Sequence, residues 1–410
     1  MKLGGFFCHT FVRLLPKTQF IEVLKHVSSL TIIHALFVTF WRGAFICIAL
    51  SASLCVWGNY QKINSKKGQI DWVIIPSAKA KIDNTITIIG VGDIMLGTNF
   101  PNESYLPPNN GKSLLSPAID PIRRADIAFG NCEGTFLDEG GTEKKCNEPA
   151  LCYAFRQPTA YAQLLKDAGF DVVSLANNHS GDFGQIGRES SMKTLRSAGM
   201  GYAGLKDCPT SIIEKDGLKY GLIAFSPNNG TLSIHNLDSA QILVKELQSQ
   251  VDIVIVSFHG GAEGENHRRV PRKEEFYYDE NRGDVYAFSH AVIDAGADVV
   301  FGHGPHVARG LEMYKGRVIA YSLGNFCTYS RFSLKGHAGT APMLELEITK
   351  EGDFKSGRIL SFIQIGEGGP IPDNDKKAVN EIKELSELDF PESELIIKPN
   401  GRILKKPSAN

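Results

Sequence analysis

Short apolar runs that alternate with helical patterns dominate the sequence from Thr85 onward. Within the runs TITIIGV, DVVSLA, DIVIVSF and DVVFG, hydrophobic and polar residues do not alternate, which is typical of strands covered on both faces. Amphipathic patterns such as PTAYAQLLKDAG and VYAFSHAVIDAG lie between the runs, and SIIEKDGLKYGLIAF and LEMYKGRVIAYSL have the pattern of hairpins. This order predicts an α/β protein in which helices pack on layered sheets that include some antiparallel strands.

The apolar segment from Leu30 to Trp57 contains only one fully charged residue, Arg42. A run of this length can span a bilayer, although an arginine near its centre would cost about 2.5–3.5 kcal/mol. The uninterrupted part from Gly43 to Trp57 also fits a signal-peptide core or a short signal anchor. We therefore expect a single-pass protein of the cell membrane with an extracytoplasmic main domain, and whether the segment is cleaved stays open.

The chain is predicted to divide into five segments. They are an N-terminal segment (1–29), a membrane anchor or signal (30–58), a polar linker (59–84), the main domain (85–366) and a peripheral C-terminal tail (367–410). The main domain is long enough to bury a sizeable core. The 44 basic and 45 acidic residues leave a formal net charge of -1, so no bulk field favours nucleic acid, and we expect no nucleic-acid partner.

Two of the eight cysteines, Cys146 and Cys152, lie in one polar loop, EKKCNEPALCY. They could form a local disulfide if the domain is extracytoplasmic, or they could remain free thiols. No pair of cysteines has the spacing of a zinc ribbon, so a structural zinc site made of cysteines is not expected.

Polar side chains follow five of the predicted strands at or just past their carboxyl ends. These side chains are Asp93, Glu133, the Asn177–His179 run, His259, and the pair His303 and His306. The carboxyl ends of strands in α/β sheets are where loops converge and ligands bind. The sequence therefore predicts a functional site at this edge.

Nitrogen and oxygen ligands of this kind suit zinc, manganese or iron, whereas calcium prefers oxygen alone. There are more candidates than one tetrahedral ion needs, which favours two metals bridged by a carboxylate. Each residue alone also has a structural explanation. Asp93 could serve a turn, Glu133 could be solvated, His179 could cap the next segment, and Asp182 could belong to a turn.

Several motifs resemble, in order, those of the CapA (poly-γ-glutamate capsule synthesis) family, whose members adopt a calcineurin-like metallophosphoesterase fold. The resemblance spans about Ile86 to Phe326 and is carried by GVGDIML, GNCEGTF, FRQP, LKDAGFDVVSLANNHSGDFG, SFHGGAE, DAGADVVFGHGPHV and YSLGNF. It implies a layered α/β sandwich, to which the N-terminal anchor is added. It also implies an anionic polymer such as poly-γ-glutamate and integral-membrane synthesis or export proteins as partners.

The resemblance implies a role for each matching residue. Asp93 and His306 would bind one metal, Glu133 would bridge, and Asn178, His259 and His303 would bind the second metal. His179 would face the substrate as a general acid or as an electrostatic stabiliser, and Asp182 would orient it. Asn177 is expected to shape the loop through hydrogen bonds.

The sequence departs from the wider phosphoesterase pattern at several positions. Met95 stands where a histidine usually follows the first aspartate by two residues, the bridging position carries glutamate, and two residues separate His303 from His306. The first two features are shared by the CapA family. They leave open whether the first metal site is filled.

Three functions remain open from the sequence. The first is a membrane-anchored capsule synthesis or export protein with a metal centre. The second is an independent metal-dependent hydrolase of phosphate esters or polyglutamate amide bonds. The third is a scaffold without catalysis, which Met95 favours.

Overall fold

The computed structural model describes residues 60–64, 70–74, 85–146 and 152–407. The chain forms two compact units, Met1–Asp83 and Asn84–Asn410. In the first unit, strands β1 (Tyr60–Asn64) and β2 (Ile70–Ile74) form an antiparallel pair within the segment predicted to be a linker. The predicted anchor lies outside the described residues, and none of the described helices is long and apolar enough to cross a membrane.

The larger unit contains a ten-stranded sheet, sheet 1, with a parallel centre. Its parallel strands are β3 (Thr85–Met95), β4 (Ile127–Cys132), β7 (Val172–Ser174), β8 (Gly201–Ala203) and β18 (Asn325–Thr328). Antiparallel strands extend the sheet beyond β3: β19 (Thr340–Thr349), β20 (Phe354–Ile363), β21 (Ile371–Pro372), β22 (Leu395–Ile397) and β23 (Arg402–Lys405). The parallel strands carry the predicted apolar runs, which confirms that part of the sequence analysis.

A second, seven-stranded sheet, sheet 2, also has a parallel centre. Its strands are β9 (Thr210–Lys215), β10 (Leu218–Ser226), β11 (Leu232–Ser233), β12 (Ile253–His259), β15 (Val299–His303), β16 (Leu311–Tyr314) and β17 (Arg317–Ala320). The predicted hairpins are β9 with β10 and β16 with β17. Two further short pairs join β5 (Thr135–Phe136) to β6 (Arg156–Gln157) and β13 (Phe276–Tyr277) to β14 (Glu280–Asn281).

The two sheets face each other; within the described residues, the first five helices cover their outer faces and the last packs into the core between them. The helices are α1 (Ile119–Arg124), α2 (Tyr161–Ala168), α3 (Gly184–Ser197), α4 (Leu237–Gln248), α5 (Val285–Asp294) and α6 (Lys377–Asp389). One core cluster contains residues of both sheets, and the rings of Phe129 and Phe301 stack across it at 5.2 Å. Helices α1–α3 pack on sheet 1, and α4 and α5 pack on sheet 2. The main domain is thus a layered α/β sandwich, as predicted.

The C-terminal segment differs from the predicted peripheral tail. Helix α6 buries Ala378, Val379 and Ile382 in the core between the sheets, and β22 and β23 extend sheet 1. Charged residues and prolines hide this pattern in the sequence. The buried residues recur along one face of a helix whose opposite face is polar, so the average polarity is misleading.

Candidate metal centre

The parallel strands of both sheets bring their carboxyl ends to one edge of the sandwich. His259 and His303 are the last residues of β12 and β15 and lie side by side in register. Asp93 lies inside β3, paired with Asn325 of β18, and not just past the strand as the sequence suggested. Glu133 follows β4 directly. These side chains therefore lie within strands or directly after them, and not on long loops.

Asp93 is fully buried and interacts with two of the predicted histidine ligands. Its Oδ1 atom lies 3.1 Å from Nδ1 of His303, and its Oδ2 atom lies 3.0 Å from Nδ1 of His306. The side-chain amide of Asn131 donates to Oδ1 at 2.8 Å. Burial alone would raise the pKa of Asp93, but the contacts with His303 and His306 hold it well below its usual value. Asp93 is therefore a carboxylate at neutral pH.

Glu133 is completely buried, and neither of its carboxylate oxygens has a hydrogen-bond partner among the described residues. Potential ligand atoms of Asp93, Glu133 and His259 lie within 4.8 Å of one another. Burial and the negative charge of Asp93 raise the pKa of Glu133 well above its usual value. The charged form of a buried glutamate is costly unless a cation neutralises it.

Other buried polar atoms at this edge also lack a partner within the described part of the chain. They are Oδ1 of Asn178, Nε2 of His259 and Nε2 of His303. Buried polar groups in native proteins are nearly always hydrogen-bonded, so unpartnered atoms of this kind indicate a missing ligand. Carboxylate, amide and imidazole donors together fit a borderline divalent metal. The residues present therefore fit the metal that the sequence predicted.

His306 completes the cluster from the loop after β15. Its Nε2 atom lies 3.6 Å from Oε1 of Glu133, and its Nδ1 atom lies 3.2 Å from Oδ1 of Asn325. Burial lowers the pKa of His306, but Glu133 and Asp93 outweigh it and raise the pKa to about 10. Because a metal binds neutral imidazole, metal binding at this residue would release a proton.

His179 and Asp182 form a pair beside the cluster. Nδ1 of His179 lies 2.7 Å from Oδ2 of Asp182, and Nε2 lies 3.8 Å from Oε1 of Glu133. The ring of Phe155 stacks on the imidazole at 4.2 Å. Burial holds the pKa of His179 below its usual value; Asp182 opposes this shift, and Lys144 adds to it. The histidine thus presents Nε2 to the cluster while Asp182 holds Nδ1.

Three other residues support the site, although the sequence predicts no defined role for them. Asn131 donates to Asp93, Asn325 donates to the backbone oxygen of His306, and Lys144 lies 2.7 Å from Oδ1 of Asp182. Asn131 and Asn325 belong to the motifs GNCEGTF and YSLGNF, so these motifs could have singled them out. Lys144 lies in the polar cysteine loop, where no local pattern distinguishes it from its neighbour.

The structure also shows the contacts of two further residues that the sequence singled out, Asn177 and Met95. Asn177 shapes its loop, since its amide donates to Oδ1 of Asn131 at 3.1 Å and accepts from the backbone of His179. Met95 is buried, and its sulfur accepts from the backbone of Gly97 at 3.2 Å. The thioether is thus already engaged away from a metal.

The facing sheets and the buried nitrogen and oxygen donors define a layered α/β protein with a candidate divalent-metal centre. Residues 87–330 match the family described as bacterial capsule synthesis protein PGA_cap, and the chain belongs to that family.

Similar proteins include the capsule biosynthesis protein CapA of Bacillus anthracis, which is 28% identical over 276 residues. The PGA biosynthesis protein CapA of Bacillus subtilis is 28% identical over 269 residues. The first match covers 62% of this chain and 62% of the relative, and the second covers 61% and 65%. The chain thus spans less than two thirds of the length of these relatives.

Solved structures show only a distant likeness. A hypothetical protein from Thermus thermophilus is 16% identical with a TM-score of 0.42, over 67% of this chain and 99% of that chain. A putative 5'-nucleotidase from Staphylococcus aureus is 15% identical with a TM-score of 0.40, over 74% of this chain and 58% of that chain.

Proposed function

We propose that this protein acts in the synthesis or export of an anionic capsule polymer such as poly-γ-glutamate. Its membership of the capsule synthesis family and the names of its relatives support this role. The four-layer order of helices and sheets supports the calcineurin-like metallophosphoesterase fold implied by the sequence motifs. Deleting the gene in a host that makes such a polymer should reduce surface polymer, and unchanged polymer would contradict the proposal.

The proposed centre holds two divalent ions of manganese, iron or zinc. The unpartnered buried atoms of Glu133, Asn178, His259 and His303 are the observation that carries this proposal. Asp93 and His306 would hold one ion, Asn178, His259 and His303 the other, and Glu133 would lie between them. Bound ions of this kind polarise a phosphoryl or carbonyl oxygen and make water a nucleophile near neutral pH.

His179 is proposed to handle the proton of the leaving group. Asp182 accepts from Nδ1, which leaves Nε2 free to hold or give up a proton on the side of Glu133. The stacked ring of Phe155 and the burial of the imidazole limit its contact with water. The reaction class that fits is hydrolysis of a phosphate ester or a polyglutamate amide bond.

Replacing His179 tests the catalytic part of this proposal. We expect His179→Ala to lower turnover of a phosphodiester or of poly-γ-glutamate by about 10²–10⁴, the usual effect of a general acid or base. Elemental analysis should find the same metal content in this variant, because the proposed ligands are intact. The exposed His235 provides the matched control, and His235→Ala should change neither quantity.

His303→Ala separates the metal from the chemistry. This variant should lose metal and activity together, whereas equal metal content in His303→Ala and in the wild type would contradict the proposed ligand set. Two ions per wild-type chain would argue against a scaffold, and none would argue for one. The engagement of the Met95 sulfur with Gly97 is the observation that favours a scaffold, because that position supplies no ligand.

A single-pass location in the cell membrane, with the main domain outside the cytoplasm, is part of the proposal. The disulfide between Cys146 and Cys152 supports it, because disulfides persist in oxidising compartments. Integral-membrane synthesis or export proteins would then be the partners. Protease added to intact protoplasts should digest the main domain, and complete protection would place it in the cytoplasm.

A further inference from the structure

The disulfide between Cys146 and Cys152 lies close to the candidate metal centre. Lys144 precedes Cys146 by two positions, and Phe155 follows Cys152 by three. Both of these residues contact His179 or its partner Asp182. The cross-link therefore joins two segments that reach the same imidazole from different directions.

Lys144 makes four contacts with Asn178, His179 and Asp182. Its Nζ atom lies 2.7 Å from Oδ1 of Asp182 and 3.4 Å from Nδ1 of His179. It also donates to the backbone oxygen of Asn178 at 3.3 Å, while its backbone amide donates to the backbone oxygen of Asp182 at 2.7 Å. The lysine thus fixes both the side chain and the backbone of Asp182.

Phe155 holds the same pair from the other side of the disulfide. Its ring stacks on that of His179 with an interplanar angle of 28°. Its backbone amide donates to Oδ2 of Asp182 at 2.6 Å, the oxygen that also contacts Nδ1 of His179. Lys144 therefore contacts Oδ1 of Asp182, and the backbone amide of Phe155 contacts Oδ2. The disulfide sets the spacing of these two residues.

We propose that the Cys146–Cys152 disulfide is part of the site and that Lys144 and Phe155 are positioning residues for His179. Reduction by a small dithiol transfers two electrons and two protons to the sulfur–sulfur bond. It yields two cysteine thiols and converts the dithiol into its cyclic disulfide. The inference rests on the proposed role of His179, but it can be measured without turnover.

The accessibility of the His179 ring is the direct measurement. Diethyl pyrocarbonate acylates neutral imidazole, and mass spectrometry gives the rate at each histidine of the full chain. At about pH 8, where an unperturbed imidazole is neutral, changes in pKa contribute little to this rate. His179 is 6% exposed, and the exposed His235 serves as the internal reference.

We expect reduction to increase the labelling rate of His179 by about tenfold relative to His235, as local opening becomes easier. The double variant Cys146→Ser, Cys152→Ser should show the fast rate with or without reductant. The free cysteines in the described residues, Cys132, Cys208 and Cys327, are present in both proteins and cannot produce the difference.

Variants at Lys144 keep the test decisive if the double variant folds poorly. Lys144→Met should speed labelling of His179 with the disulfide intact, and Lys144→Arg should restore protection because it keeps the cation beside Asp182. The exposed neighbour gives the control Lys145→Met, which should match the wild type. Equal labelling rates in the oxidised, reduced and Lys144→Met proteins would overturn the inference and leave the proposed hydrolysis untouched.

Discussion

Gly304 shows how closely single residues constrain the candidate centre. Its backbone has a φ of +114°, and a Cβ atom placed there would lie 2.7 Å from the oxygen and 2.8 Å from the nitrogen of Gly260. Gly304 follows His303, and Gly260 follows His259. A side chain at this position would therefore push apart the two loops that begin at predicted ligands.

We expect Gly304→Ala to lower both the unfolding temperature and the metal content. The matched control is Gly140→Ala, because Gly140 also has a positive φ of +76° but has nothing within 4 Å of its Cβ position. The control should cost only the backbone penalty of about 1–2 kcal/mol. Thermal unfolding and elemental analysis compare the two. Equal effects would mean that the contact with Gly260 does not matter.

Asp298 ties the beginning of β15 to β12 through a pair of hydrogen bonds. Its Oδ2 atom accepts from the backbone amide of Val254 at 2.8 Å, and its own amide donates to Val254. Burial raises the pKa of Asp298 to about 6, although Val254 and Arg317 oppose the shift. The folded state thus holds a proton more tightly than the unfolded chain, in which the pKa is about 3.9.

This shift makes stability depend on pH in a defined direction. The contribution of Asp298 is fully present below about pH 4 and is lost as the pH rises through about 6. We expect Asp298→Asn to gain on the order of 2 kcal/mol over the wild type between about pH 4 and pH 7. Urea unfolding at both pH values measures this. The exposed Asp279 gives the control Asp279→Asn, and parallel pH curves for wild type and Asp298→Asn would refute the expectation.

Helix α6 shows that a segment rich in charge can be integral to the fold. Ile382 is fully buried in the core between the sheets, whereas Leu388 on the same helix is 51% exposed. We expect Ile382→Ala to lower the free energy of unfolding by about 2–5 kcal/mol, because it leaves a cavity. Leu388→Ala should change it by no more than about 0.5 kcal/mol. Urea titration measures the free energy of unfolding of both variants. A loss for Ile382→Ala as small as that for Leu388→Ala would mean that α6 is only peripheral.

The sequence predicted well what depends on local pattern. Apolar runs predicted the parallel strands, and the residues at their ends predicted which side chains meet, because parallel strands deliver their carboxyl ends to one edge. Lys144 could not be predicted, since its contact with Asp182 joins distant parts of the chain and nothing nearby distinguishes it from Lys145. The packing of α6 depends on a partner surface that forms only when the two sheets come together.

The candidate centre also links folding to metal binding for the protein as a unit. Glu133 is buried without a hydrogen-bond partner in the described residues, so the metal-free fold carries a buried carboxyl group whose hydrogen bonds are not made. A ligand that binds only the folded state at 100 times its dissociation constant adds about 2.7 kcal/mol of stability. Divalent manganese, iron or zinc should therefore raise the unfolding temperature of the wild type, and a chelator should lower it again.

Replacing Glu133 should stabilise the metal-free protein and weaken the stabilisation that metal provides. Because burial raises the pKa of Glu133, the stability that its neutral form contributes is lost as the pH rises through that raised value. At alkaline pH, metal-free Glu133→Gln should therefore unfold at a higher temperature than the metal-free wild type, yet gain little when metal is added. The exposed Glu143 provides the control Glu143→Gln, which should behave as the wild type in both respects. Scanning calorimetry with and without chelator measures these shifts. An undiminished metal-induced shift in Glu133→Gln would show that the stabilising ions bind elsewhere.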